Sequence, residues 1–127
     1  MNGNRYFLDT NSIVRILSGH SELLTLLSDA DYVASSVICE LEFLSFPSLS
    51  EEDANLFKRF MERVDVIDLM TENLPLKKRI LELRSVRKLK LPDAIIAATA
   101  IVSGCTLITG DRQLLNMEGL AVQGYEL

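Results

Sequence analysis

The chain has 127 residues, 48% of them hydrophobic, and a formal net charge of −5. That length makes one domain, residues 1–127, able to bury a core without staples, and the hydrophobic share excludes disorder as the default. No apolar run approaches the ~20 residues of a membrane span, and the first residues lead into a strand pattern rather than a signal peptide. Cys39 and Cys105 are isolated, in apolar surroundings and without C-x-x-C spacing. They read as buried, reduced thiols of a cytoplasmic protein.

Arg5-Tyr6-Phe7-Leu8-Asp9 opens the chain with an unbroken apolar run ending in an acid. Continuous rather than alternating apolar character suits a strand buried on both faces, as in a parallel sheet. Asp9 is therefore expected at the carboxyl end of a central strand, where open α/β sheets place their ligands. Thr10, Asn11 and Ser12 favour caps and turns, and a short helix is expected over residues 13–17. A second helix covers residues 21–27, with the only histidine, His20, in the loop before it. Tyr32-Val33-Ala34 reads as a second strand. Ser35 or Ser36 then caps a helix running to Phe46, stopped by Pro47.

Ser50 with Asp53 three residues on resembles a capping box for a helix over residues 51–63. Residues 64–69 alternate for part of their length and form a third strand, at an edge. Thr71 opens a basic helix with Leu76, Ile80, Leu83 and Val86 facing inward. After Leu91-Pro92 comes the most apolar helix, residues 93–103, closed by Gly104. Residues 105–109 make a fourth buried strand and residues 120–122 a weak fifth. Strands alternating with helices imply an α/β fold with a parallel sheet flanked by helices.

Asp9 is one of four acids expected at the same edge. Asp93 follows Pro92 in the first turn of a helix apolar nearly all round, so its start lies deep in the fold. Asp111 follows the fourth strand, with Gly110 between. Glu40 and Glu42 are two apart on the helix after the second strand and point to different faces. Glu40, nearer the helix start, is expected to face the sheet edge. Four acids sharing a cleft cannot all stay ionised without cations. Oxygen ligands without Cys or His fit Mg²⁺ or Mn²⁺ rather than zinc. Such a cation serves phosphodiester hydrolysis by polarising phosphoryl oxygens and generating hydroxide. No Walker-type phosphate loop and no Ser-His-Asp set is present.

Phe7-Leu8-Asp9-Thr10-Asn11, Ser36-Val37-Ile38-Cys39-Glu40-Leu41, Leu91-Pro92-Asp93-Ala94-Ile95-Ile96 and Leu107-Ile108-Thr109-Gly110-Asp111 resemble the four acidic motifs of PIN-domain ribonucleases. Their order and spacing are similar to those of the small VapC-type toxins of toxin–antitoxin pairs, over essentially the whole chain. The resemblance implies a three-layer domain with a five-stranded parallel sheet of order 3-2-1-4-5. It implies a Mg²⁺- or Mn²⁺-dependent endoribonuclease with Asp9, Glu40, Asp93 and Asp111 around the metal. Asn11 and Thr109 match supporting positions. A homodimer and a neutralising antitoxin partner are also implied.

Seven of the 13 basic residues fall between Lys77 and Lys90, opposed only by Glu82. Arg87, Lys88 and Lys90, nearest Asp93, are the expected RNA contacts, since a local basic patch can serve phosphates even on an acidic protein. Leu24, Leu27, Phe43, Phe46, Leu49 and Phe57 are candidates for an apolar groove that a partner helix or strand could fill. Three rivals stand beside this reading. A haloacid-dehalogenase-like phosphatase wants a proton-giving acid at position 11, where Asn11 cannot serve. A non-catalytic α/β binding module or phosphoacceptor receiver wants an acceptor at the end of the third strand, where Asp68 lacks a partner. An RNA-processing PIN nuclease that is no toxin differs by lacking a neighbouring antitoxin gene.

Overall fold

A computed structural model describes residues 3–127. The chain runs β1 (Arg5–Leu8), α1 (Thr10–Leu17), α2 (Ser21–Ser28), β2 (Tyr32–Ser36), α3 (Val37–Leu44) and α4 (Glu51–Met61). It continues through β3 (Asp65–Ile67), α5 (Leu74–Arg87), α6 (Leu91–Val102), β4 (Thr106–Ile108), α7 (Arg112–Leu115) and β5 (Val122–Gln123). The five strands form one sheet of order β3-β2-β1-β4-β5, and every pairing is parallel. This is the α/β architecture expected from the sequence, with β1 central and β3 at an edge. Each crossover passes through helices. The right-handed rule for such crossovers puts α1–α4 on one face of the sheet and α5–α7 on the other.

β1 is central because Phe7 and Leu8 must be covered on both faces, and both are fully buried. α6 is the most enclosed helix, with Ala94 to Ala100 all buried. Its alanines let it approach closely. Among the described residues no helix is long and apolar enough to cross a membrane.

Several boundaries differ from expectation for local reasons. Asp9 itself caps α1, so Thr10, Asn11 and Ser12 form the first turn instead of a linker. His20 caps α2: its Nδ1 accepts the Leu23 amide at 3.3 Å. Ser50 Oγ accepts the Asp53 amide at 3.0 Å, as the capping pattern predicted. α5 starts at Leu74 instead of Thr71, because Asn73 supplies the cap and Pro75 suits the first turn. Val86, expected in the core, is 74% exposed, and Leu89 is buried in its place. The chain leaves the helix through Lys88 in a left-handed conformation, φ 57°, which turns Leu89 inward. α7, four residues capped by Asp111, was not expected at all.

Candidate active site

The carboxyl edge of the sheet opens on a cleft lined by Asp9, Asn11, Glu42, Asp93 and Asp111. The acids arrive on four different elements. Asp9 ends β1 and caps α1, with its Oδ1 accepting the Ser12 amide at 2.9 Å. Its Oδ2 accepts the Thr109 hydroxyl at 2.5 Å. The same Thr109 oxygen accepts the Asp111 amide at 3.0 Å. One buried hydroxyl thus couples the ends of β1 and β4. Of the two supporting positions that the resemblance implies, Thr109 bonds Asp9 directly and Asn11 lies exposed on the cleft wall.

Below Asp9, the Leu8 carbonyl accepts Ser35 Oγ at 2.8 Å and Cys39 Sγ at 3.7 Å. The Leu8 carbonyl, which loses water at this strand end, therefore finds partners, as a buried site demands. Asp111 is exposed and held by its own cap, its Oδ1 accepting the Gln113 amide at 2.9 Å. Asp93 lies at the third position of α6, half-buried, with Lys90 three residues before it.

The third acid is Glu42, where the sequence had favoured Glu40. Cys39 and Phe43 are the buried residues of α3 and define its inward seam. On a helix at about 100° per residue, Glu40 and Glu42 fall on opposite flanks of that seam, each half-buried. Distance from the helix start therefore does not decide between them. The Glu42 flank faces α1, where Thr10 Oγ1 donates to Glu42 Oε1 at 2.6 Å. Glu40 is on the far flank and does not line the cleft. Thr10 was the missed signal: a hydroxyl just after Asp9 that can hold a carboxylate on the neighbouring helix.

The electrostatics follow from this crowding. Burial pushes the Asp9 carboxyl above its ordinary value; hydrogen bonds from Ser12 and Thr109 pull it back, and the Asp111 charge raises it again. Asp93 is also raised, by burial first and then by the Asp111, Glu42 and Asp9 carboxylates, with Lys90 opposing. Mutual repulsion of this kind calls for a cation. The donor set is all oxygen, which fits a hard ion. Among the described residues no three His, Cys, Asp or Glu side chains are arranged to hold an ion between them. Mg²⁺ does not need such a cage, since it keeps several waters and takes only one or two carboxylates directly. The residues fit the ion on that basis.

The basic track lies beside this cleft only at its end. Lys90 starts α6, Arg87 approaches the exposed Glu118 at 3.8 Å, and Lys88 occupies the left-handed turn between them. Of the proposed groove residues, Phe43 and Phe57 are core, stacked at 4.2 Å. Leu24, Phe46 and Leu56 are exposed. One groove between α1, α3 and α4 includes Leu17, Phe46, Leu49 and Leu56, and a second between α1, α2 and α4 includes Leu17, Leu24, Leu27 and Leu56.

Residues 6–120 match the PIN domain family. The chain belongs to the PIN-domain family. No curated protein matches it in sequence. Among solved structures, this PIN domain is similar to a chain of a toxin–antitoxin complex from Klebsiella pneumoniae, 27% identical, with a TM-score of 0.79 over 96% of this chain and 99% of that one. A chain of VapBC2 from Rickettsia felis, bound to a DNA fragment from the promoter, is 23% identical, with TM-score 0.79 and coverage of 95% and 98%. A chain of VapBC-1 from nontypeable Haemophilus influenzae is 22% identical, with TM-score 0.78 and coverage of 94% and 96%. The PIN domain here therefore shares its fold with these proteins over 94–96% of its length, and the family match spans the elements that carry all four acids.

Proposed function

We propose that this PIN domain is a Mg²⁺- or Mn²⁺-dependent endoribonuclease acting in the cytoplasm as the toxin of a toxin–antitoxin pair. The observation that carries the reading is the cleft itself, where Asp9, Glu42, Asp93 and Asp111 converge from four elements with two of them pushed toward protonation. A bound cation would supply Lewis-acid polarisation of the phosphodiester and a hydroxide nucleophile. Asp9 is the anchor of such an ion: each of its oxygens spends one lone pair on the protein and keeps another for a ligand. Glu42 and Asp93 face it from α3 and α6, and Asp111 closes the β4 side. Thr10 and Thr109 orient two of these carboxylates. Asn11, on the cleft wall, is placed to hydrogen-bond substrate or a metal-bound water.

Arg87, Lys88 and Lys90 are read as phosphate contacts that bring RNA to an otherwise repulsive site. The groove between α1, α2 and α4 is the proposed seat of an antitoxin, by analogy with relatives that were solved as toxin–antitoxin complexes. A homodimer belongs to the same reading. The direct test is cleavage of single-stranded RNA by the purified protein with Mg²⁺, Mn²⁺ or chelator, beside folded Asp9→Asn protein. Metal-dependent cutting lost in the variant supports the assignment; equal cutting by the variant removes it.

A further inference from the structure

The last residues of the chain fold back onto the first turn of α1. After β5, Tyr125 packs edge-to-face on His20, ring centroids 5.3 Å apart, and a Cβ on Gly110 would meet the Tyr125 ring at 3.5 Å. His20 and Glu22 clamp the next residue from both sides. The Glu126 amide donates to Glu22 Oε1 at 3.2 Å, and His20 Nε2 bonds the Glu126 carbonyl. Because His20 Nδ1 already accepts the Leu23 amide, its neutral ring must carry the proton on Nε2, the nitrogen facing that carbonyl.

The Tyr125 hydroxyl lies 2.9 Å from Ser12 Oγ, a fully buried atom. Ser12 Oγ has one proton, and it donates it to the Ile108 carbonyl at 2.9 Å. The direction of the remaining bond follows: Tyr125 donates and Ser12 accepts. Burial pushes the Tyr125 phenol above its ordinary value, so it stays protonated as a donor. Ser12 is the residue whose amide holds Asp9 Oδ1, and Ile108 precedes Thr109, which holds Asp9 Oδ2. Ser12 therefore ties the β1–α1 turn to the end of β4, the two segments that carry Asp9 and Asp111.

We infer that Tyr125 is a positioning residue for the cleft: its hydroxyl fixes Ser12 and so the separation of Asp9 from Asp111. It touches neither substrate nor metal. This deepens the nuclease reading, and its consequence for metal rests on that reading; its consequence for the Ser12–Asp9 contact does not.

Tyr125→Phe removes the hydroxyl and keeps the ring packing on His20 and Gly110. In metal-free protein, hydrogen exchange of the amide at position 12 should become about fivefold faster, the scale of one lost hydrogen bond, with α6 amides unchanged. Mn²⁺ binding, followed by titration of the same proteins, should weaken roughly tenfold, the low end for partners beyond the ligands. Because the hydroxyl acts only through Ser12, Ser12→Ala with Tyr125→Phe should match Ser12→Ala alone in both measurements. Unchanged exchange at position 12, acceleration of all amides alike, or additive effects in the double variant would each overturn the inference. If the parent protein binds no Mn²⁺, the metal-nuclease reading falls, and the exchange result still decides whether Tyr125 positions Asp9.

Discussion

At the inner end of the cleft Asp9 is 8% exposed, and both of its oxygens accept hydrogen bonds from buried groups. At the outer rim Asp111 is exposed and Asp93 and Glu42 are half-buried. The inner half is built by strand ends, whose backbone position is fixed by the sheet. The rim is built by helices, with Asp93 in the first turn of α6, Asp111 capping α7 and Glu42 one turn into α3. Among the described residues Thr10 alone bonds the Glu42 side chain. A carboxylate held from two sides is a fixed anchor; carboxylates at a rim can adjust to a ligand. The comparison predicts a graded response to removing each acid.

The largest effect belongs to Asp9→Asn. Losing an anchoring ligand removes several kcal/mol of transition-state stabilisation, about a hundredfold or more in rate. RNA cleavage under saturating Mn²⁺ measures it. The same substitution should stabilise the metal-free protein at neutral pH. Asp9 holds its proton more tightly folded than unfolded, because burial raises it from the ordinary 3.8. The native state then binds more protons than the unfolded state above that value, so its stability falls as pH rises. Replacing the acid removes this loss. Denaturant unfolding with chelator should show the variant ahead at neutral pH and the gap closing as pH falls through the carboxylate range.

The second effect separates the two glutamates of α3. Glu42→Gln should lower turnover by roughly tenfold, the scale of losing one oriented group at a metal site. Glu40→Gln, on the opposite flank, should cut RNA at the parental rate. Parallel assays of the two proteins check this, and the reverse ranking would break the assignment of the cleft. Asp111→Asn should cost less than Glu42→Gln, because asparagine caps α7 as well as aspartate does and only the rim charge is lost. The smallest effect is expected from Arg87→Ala with Lys88→Ala. Binding of RNA to Asp9→Asn protein should weaken and its salt dependence flatten, by a slope of roughly 0.7 per lost phosphate contact. Turnover of bound RNA should hardly change.

The same inner–outer division explains what the sequence made legible. The central strand, the capped helix at Ser50, Gly104 and the apolar α6 are written in runs and local signals, and all formed where expected. The acids at strand ends followed from the sheet's geometry, and Thr109 from the family resemblance. The rim did not. Periodicity places Glu40 and Glu42 on the two flanks of one seam, and only the docking of α3 against α1 decides which flank faces the cleft. Val86 stands about a quarter turn off the seam of Leu76, Ile80 and Leu83 at about 100° per residue and faces outward, while the left-handed Lys88 turns the chain and buries Leu89. Tyr125 follows a two-residue strand with no pattern of its own, and its partner Ser12 is 113 residues away.

The two thiols mark opposite ends of the same sheet. Cys39 is fully enclosed beneath the end of β1, with burial pushing its thiol above the ordinary value, and Cys105 is buried just before β4 begins. Both are buried away from reagent, so neither should be alkylated while the native packing holds. Each becomes labelled at the rate at which its own end of the sheet opens. With an alkylating reagent and mass spectrometry the unmodified chain thus carries two internal clocks. The ratio of their rates reports whether the floor beneath Asp9 yields before the far end of the sheet.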